Sequence, residues 1–67
     1  MNPKDQRKIC EAGFTIIKKQ DTPRPIIKYK NRYTNYVWRY MQSDYHCKAD
    51  RNRDMKDLLN SNNYVED

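Results

Sequence analysis

The sequence predicts an α+β fold: a short N-terminal helix, a three-stranded antiparallel sheet, and a C-terminal helix packed on one face of that sheet. Three observations predict it. Asn2-Pro3 and Gly13 bracket a stretch of helical length. Ile26 to Met41, IIKYKNRYTNYVWRYM, alternates aromatic and β-branched residues around Lys-Asn-Arg, which reads as a hairpin. Beyond Cys47, apolar side chains recur at helical spacing.

Asn2 can cap free N–H groups, Pro3 suits the first helical position, and Asp5 suits the positive end of the dipole. Gly13, the only Gly, sits where a C-cap is wanted. Residues 3–12 are thus expected to form a helix that shows Ile9 and Cys10 to the core. Phe14 to Lys19 reads as the first strand and ends at QDTPRP, where two prolines stop regular pairing. The second strand is expected at Ile26–Lys30, the third at Thr34–Gln42, and the second helix at Lys48–Asn60. In that helix Cys47, Arg51, Met55, Leu58 and Leu59 fall near one face. Residues 61–67 read as a frayed tail or a short final strand through Tyr64-Val65, within a single small domain of residues 1–67.

Composition narrows the function. A chain of 67 residues has little material for the walls of a deep pocket, so a binding role is expected rather than an enzyme. The net charge of +5 is uneven: residues 1–42 carry ten Lys/Arg against three acids, and residues 43–67 carry four against six. A localised basic surface favours nucleic acid, an anionic membrane or an acidic protein, although a charge of this size also serves simple solubility. The N-terminus MNPKDQRK has no apolar run, no stretch suits a membrane span, and two Cys are too few for a disulfide scaffold. A cytoplasmic location with reduced thiols is the expectation, without a membrane partner.

The sheet faces decide the rest. Alternation puts Tyr36, Trp38 and Tyr40 on one side of the third strand and Asn35, Val37, Arg39 and Met41 on the other. Burying the aromatic side with Phe14, Ile16, Ile27 and Tyr29 under the second helix leaves Lys19, Lys28, Lys30 and Arg39 outside, around Ile17, Ile26 and Val37. That choice avoids burying an unpaired charge. The alternative turns the aromatic side outward, as a platform of the kind on which unpaired bases stack, but removes the largest apolar side chains from the core.

Other constellations read as ordinary. His46, Cys47 and Cys10 do not have zinc spacing and no metal or other cofactor is expected; two buried thiols and a surface imidazole suffice. Asp50, Asp54 and Asp57 lie among Arg51, Arg53 and Lys56, where pairing along the helix explains them. The expected function is that of a small nucleic-acid-binding accessory protein of phage or mobile-element type. Lys28, Lys30, Arg32 and Arg39 would hold phosphates of DNA or RNA, supported by Lys18, Lys19 and Arg24, with Arg39 or Asn35 free to read base edges. The alternative is a protein-interaction module or small inhibitor docking on an acidic partner, and either could be a homodimer. In topology, the order helix, three strands, helix resembles double-stranded-RNA-binding domains. Their Gly-Pro-x-His loop is absent, and the basic start of their last helix is reduced to Lys48 with Arg51 and Arg53. The arm-binding domains of phage and transposon integrases likewise use three strands and a helix to read DNA. That resemblance carries no motif that assigns membership.

Overall fold

The computed structural model describes all 67 residues. Helix α1 spans Pro3–Glu11; the Asn2 side chain accepts from the Asp5 N–H at 2.8 Å, as its capping role requires. Strand β1 (Thr15–Gln20) and strand β2 (Ile26–Lys30) pair antiparallel, Lys18 opposite Lys28. Strand β3 is only Arg39–Gln42 and pairs antiparallel with β2 through a bulge. Helix α2 spans Lys48–Leu59. The chain then adds β4 (Tyr64–Glu66), which runs parallel to β1. The fold is therefore α+β with two helices, but the sheet is four-stranded and mixed, in the order β3-β2-β1-β4, rather than three-stranded and antiparallel. Of the two readings of residues 61–67, the short final strand is the one formed.

The core runs through both sides of the sheet. β1 and β2 are the inner strands, and each carries an isoleucine doublet, Ile16-Ile17 and Ile26-Ile27, with all four side chains buried. Burying an Ile contributes about 1.5–3 kcal/mol, so these four supply much of what holds so short a chain together. Ile17 and Ile27 cluster with Met55 of α2, and Tyr29, Met41, Tyr45, Leu58, Leu59 and Tyr64 pack around them. Successive residues point to opposite faces, so Ile16 and Ile26 lie on the other side with Lys18, Lys28 and Lys30. There α1 packs along β1, its buried Cys10 thiol 3.6 Å from the Lys30 carbonyl.

The expected core is thus overturned in its aromatic part. Phe14, Val37 and Tyr40 are exposed, Tyr36 and Trp38 are half-buried, and none of them belongs to the cluster under α2. Ile17 is beneath α2 rather than on the outer face. The reason is local: Arg32–Thr34 is a 3-10 turn, and Asn35 and Tyr36 take left-handed backbone angles (φ 56° and 60°), so residues 34–38 have no strand alternation. Cys47 is exposed, not buried, and makes no capping hydrogen bond at the start of α2.

One charged residue belongs to the interior. Arg51 of α2 is 2% exposed and donates from Nη1 to the Gln20 carbonyl at 2.8 Å and to Asp21 Oδ1 at 2.8 Å, while Nε bonds Asn52. It fastens α2 to the end of β1. Removing it leaves a carbonyl unpaired, so Arg51→Ala is expected to cost about 1.5–3 kcal/mol in a denaturant titration. The Arg51 hydrogen bond holds the Asp21 carboxyl below the usual carboxylate range, with Lys48 adding its charge. A lowered folded-state value stabilises the fold above the ordinary carboxylate range and is lost as pH falls through the lowered value. Thermal melts below about pH 4 are therefore expected to lose stability, and Asp21→Asn to lose less over the same pH interval.

Candidate nucleic-acid interface

β1, β2 and β3 contain no Asp or Glu. Their lysines on the side of Ile16 and Ile26 are Lys18, Lys28 and Lys30, and none of the three is paired with a carboxylate. The aromatic segment lies against them. Lys18 Nζ is 4.3 Å and Lys30 Nζ 4.8 Å from the centre of the Trp38 ring, and Lys28 Nζ is 5.2 Å from that of Tyr40. These are cation–π distances. Two ammonium groups from neighbouring strands thus meet one indole. Tyr40, from the edge strand, keeps 65% of its surface exposed.

The turn ahead of Trp38 fixes this arrangement. The Asn31 side chain accepts from the Tyr33 and Thr34 N–H groups, Thr34 Oγ1 accepts from the Asn31 N–H, and Asn31 Nδ2 donates to Thr15 on β1. The Tyr36 N–H reaches the Asn31 carbonyl at 3.1 Å and the Val37 N–H reaches the Thr34 carbonyl at 3.2 Å. The left-handed angle suits Asn35 better than Tyr36, which needs this bonding to hold it. Tyr36 in turn lies under Arg7 of α1, guanidinium 4.6 Å from the ring centre.

Two hollows lie along this aromatic segment. One, of about 300 Å³, is lined by Lys28, Trp38, Arg39 and Tyr40. The other, of about 350 Å³, lies at α1 and is lined by Pro3, Lys4, Gln6, Arg7, Lys30 and Tyr36. Buried Gln6 orients Lys30, accepting its ammonium at 2.8 Å through Oε1 while Nε2 donates to Asp67. Arg7 is held protonated, above its ordinary value, by its hydrogen bond and ion pair with Glu11. The Cys10 thiol is pushed up by burial, against the opposing charge of Lys30.

Of the six cations expected at the site, Lys28 and Lys30 come together on this face. Lys19 does not: it stands opposite Ile27 and lines a hollow on the α2 side with Asn52, Met55, Lys56 and Leu59. Arg39 stands opposite Tyr29, on the α2 side of the edge strand, and touches the site only at the rim of the Tyr40 hollow. Arg24 is exposed in the β1–β2 loop and shares a small hollow with Pro23, Ile26, Tyr40 and Ser43. Arg32 is exposed in the 3-10 turn, its Nη2 bonded to the Tyr33 hydroxyl at 3.0 Å. Lys18, expected only as support, sits at the centre instead. Arg7, Gln6 and Trp38 join the site through the turn and α1, which residue-by-residue alternation does not reveal. Arg51, where the likeness to double-stranded-RNA-binding domains expects a surface cation, is inside. Comparison with known protein families, with curated proteins and with solved structures finds no match to this chain.

Because the Asn31 cap sets the turn that lays Trp38 on the lysines, Asn31→Ala is expected to lower stability by about 1 kcal/mol. It is also expected to shift the emission of the single Trp to longer wavelength, as the ring loosens from Lys18 and Lys30. Unchanged emission would show that the turn does not position the ring.

Proposed function

We propose that this chain is a small, non-catalytic nucleic-acid-binding protein whose contact surface is the face of Lys18, Lys28 and Lys30, extended by Arg7. The observation that carries the reading is that three half-buried lysines without carboxylate partners converge on a partly exposed aromatic segment, on strands that hold no acid. Phosphates are the natural partners of such ammonium groups, and displaced counterions supply the drive. Arg24 at one end and Arg32 with Lys4 at the other extend the track toward flanking phosphates. The likeness of topology to nucleic-acid-binding folds adds little, since topology does not fix function. The proposal includes a cytoplasmic setting with Cys10 and Cys47 as free thiols. No helix is long and apolar enough to cross a membrane.

A second reading has its own support. Tyr33 is 81%, Tyr40 65% and Val37 51% exposed, and Tyr is a favoured anchor at protein interfaces. The same face could therefore dock on an acidic protein surface, as an inhibitor or adaptor. β3 and β4, the two sheet edges, offer a route to a homodimer. Nuclease-treated extracts from which the chain recovers one protein in good yield would favour this reading.

The test of the first reading is fluorescence polarisation with mixed-sequence DNA and RNA across a salt series. With four cations on phosphates, log affinity against log salt is expected to fall with a slope of about −3 to −4. Lys18→Glu with Lys28→Glu is expected to abolish binding, whereas Lys56→Glu on α2 leaves it near the parent value. No binding at low salt, or binding indifferent to Lys18 and Lys28, would overturn the proposal.

A further inference from the structure

We infer that the nucleic acid taken by this face is an unpaired single strand, with bases stacked on Trp38 and Tyr40 and the backbone running over Lys18, Lys28 and Lys30; this rests on the nucleic-acid reading above. The cations alone would suit a duplex as well. What separates the two is where the rings stand relative to the ammonium groups. Lys18 and Lys30 lie over the Trp38 indole, 4.3 and 4.8 Å from its centre, and Lys28 lies over the Tyr40 ring at 5.2 Å. Trp38 and the three lysines are half-buried and Tyr40 keeps 65% of its surface exposed. An approaching polyanion therefore meets aromatic surface together with charge.

A duplex keeps its base faces inside the stack and offers a ridge of phosphates, which these rings would hold away from Lys18 and Lys30. An unpaired strand can splay its bases, lay them on the rings and let its phosphates drop between them. The hollow of about 300 Å³ beside Lys28, Trp38, Arg39 and Tyr40 lies at the small end of the range for ligand pockets. It has room for one base rather than for a helix. The hollow at Arg7, Lys4 and Lys30 lies beyond Tyr36, which places another phosphate where the strand leaves Trp38. Tyr40, Trp38 and Tyr36 alternate along the chain, each with a cation on its ring, and mark the course of the strand. Stacking is indifferent to base identity, so weak sequence preference follows.

The full chain is titrated with dT12, with U12 RNA and with a mixed-sequence duplex of equal length, at one salt concentration. Polarisation and intrinsic fluorescence are read together. The single strands are expected to bind at least ten times more tightly than the duplex and to quench the single Trp. Trp38→Ala and, separately, Tyr40→Ala are expected to weaken single-strand binding roughly 5- to 150-fold, the span of one base stack, with duplex affinity nearly unchanged. Tyr40 is the safer position, being largely exposed; Trp38→Phe keeps a ring and is expected to restore most of the loss. Equal affinity for duplex and single strand, absent quenching, or equal losses on both by the aromatic variants would overturn the inference. Binding that depends on Lys18 and Lys28 but not on Tyr40 would overturn it and leave the nucleic-acid reading standing. No binding to any of the three would sink both.

Discussion

Two isoleucine doublets on adjacent inner strands divide the molecule into its two sides. Ile17 and Ile27 must be covered by α2, and Ile16 and Ile26 by whatever lies opposite. Strand alternation then leaves no choice for the intervening residues: Lys18 and Lys28 follow Ile16 and Ile26 onto the same side, and Lys30 follows Lys28. α1 covers the Ile16 end of that side. On the remainder lie Lys18 and Lys30 with the ring of Trp38, and Ile26 sits by Pro23, Arg24 and Tyr40. A basic and aromatic face is thus what completes the second side of a core too small to cover itself.

Polar fasteners hold the elements in that relation. Arg51 joins α2 to the end of β1 through the Gln20 carbonyl and Asp21. Gln6 joins α1 to Lys30, and Asn31 joins the turn to Thr15 at the start of β1. Every buried side-chain polar atom finds a partner. Because buried polar groups are costly when unpaired, these few bonds fix the placement of the elements more sharply than apolar contact alone would. The turn from Asn31 to Val37 is the one that bears on function, since it carries the chain from β2 to Trp38.

Much of this was legible in the sequence. The caps of α1, the span of β2, the extent of α2 and its Arg51–Met55–Leu58–Leu59 face all follow from local chemistry, and the observed elements agree to within a residue or so. The aromatics leave the expected face because a period of two does not run through residues 34–38. Tyr, Val and Trp there resemble a strand, but Asn31 and Thr34 close a turn first, and Asn35 tolerates the left-handed angle that ends it. The doublets were the overlooked signal: two adjacent isoleucines on one strand cannot share a face, so either one is exposed or both faces are covered. A short strand through Tyr64-Val65 is one of the two readings the sequence offers, but its parallel pairing with β1, far back along the chain, is not something periodicity can foresee. For the site, Lys28 and Lys30 were readable, whereas Lys18 and Lys19 exchanged roles by a register of one residue. Arg7 enters only through the docking of α1.

Trp38 lies on the lysine face, half-buried and in contact with solvent, rather than inside the core. Collisional quenching of its fluorescence by iodide and by caesium, at matched ionic strength, tests this most directly. With Lys18 and Lys30 beside the ring, iodide is expected to quench several-fold more strongly than caesium. Weak quenching by both ions would place the indole in the interior, and equal quenching would remove the lysines from its side; either result would contradict the account.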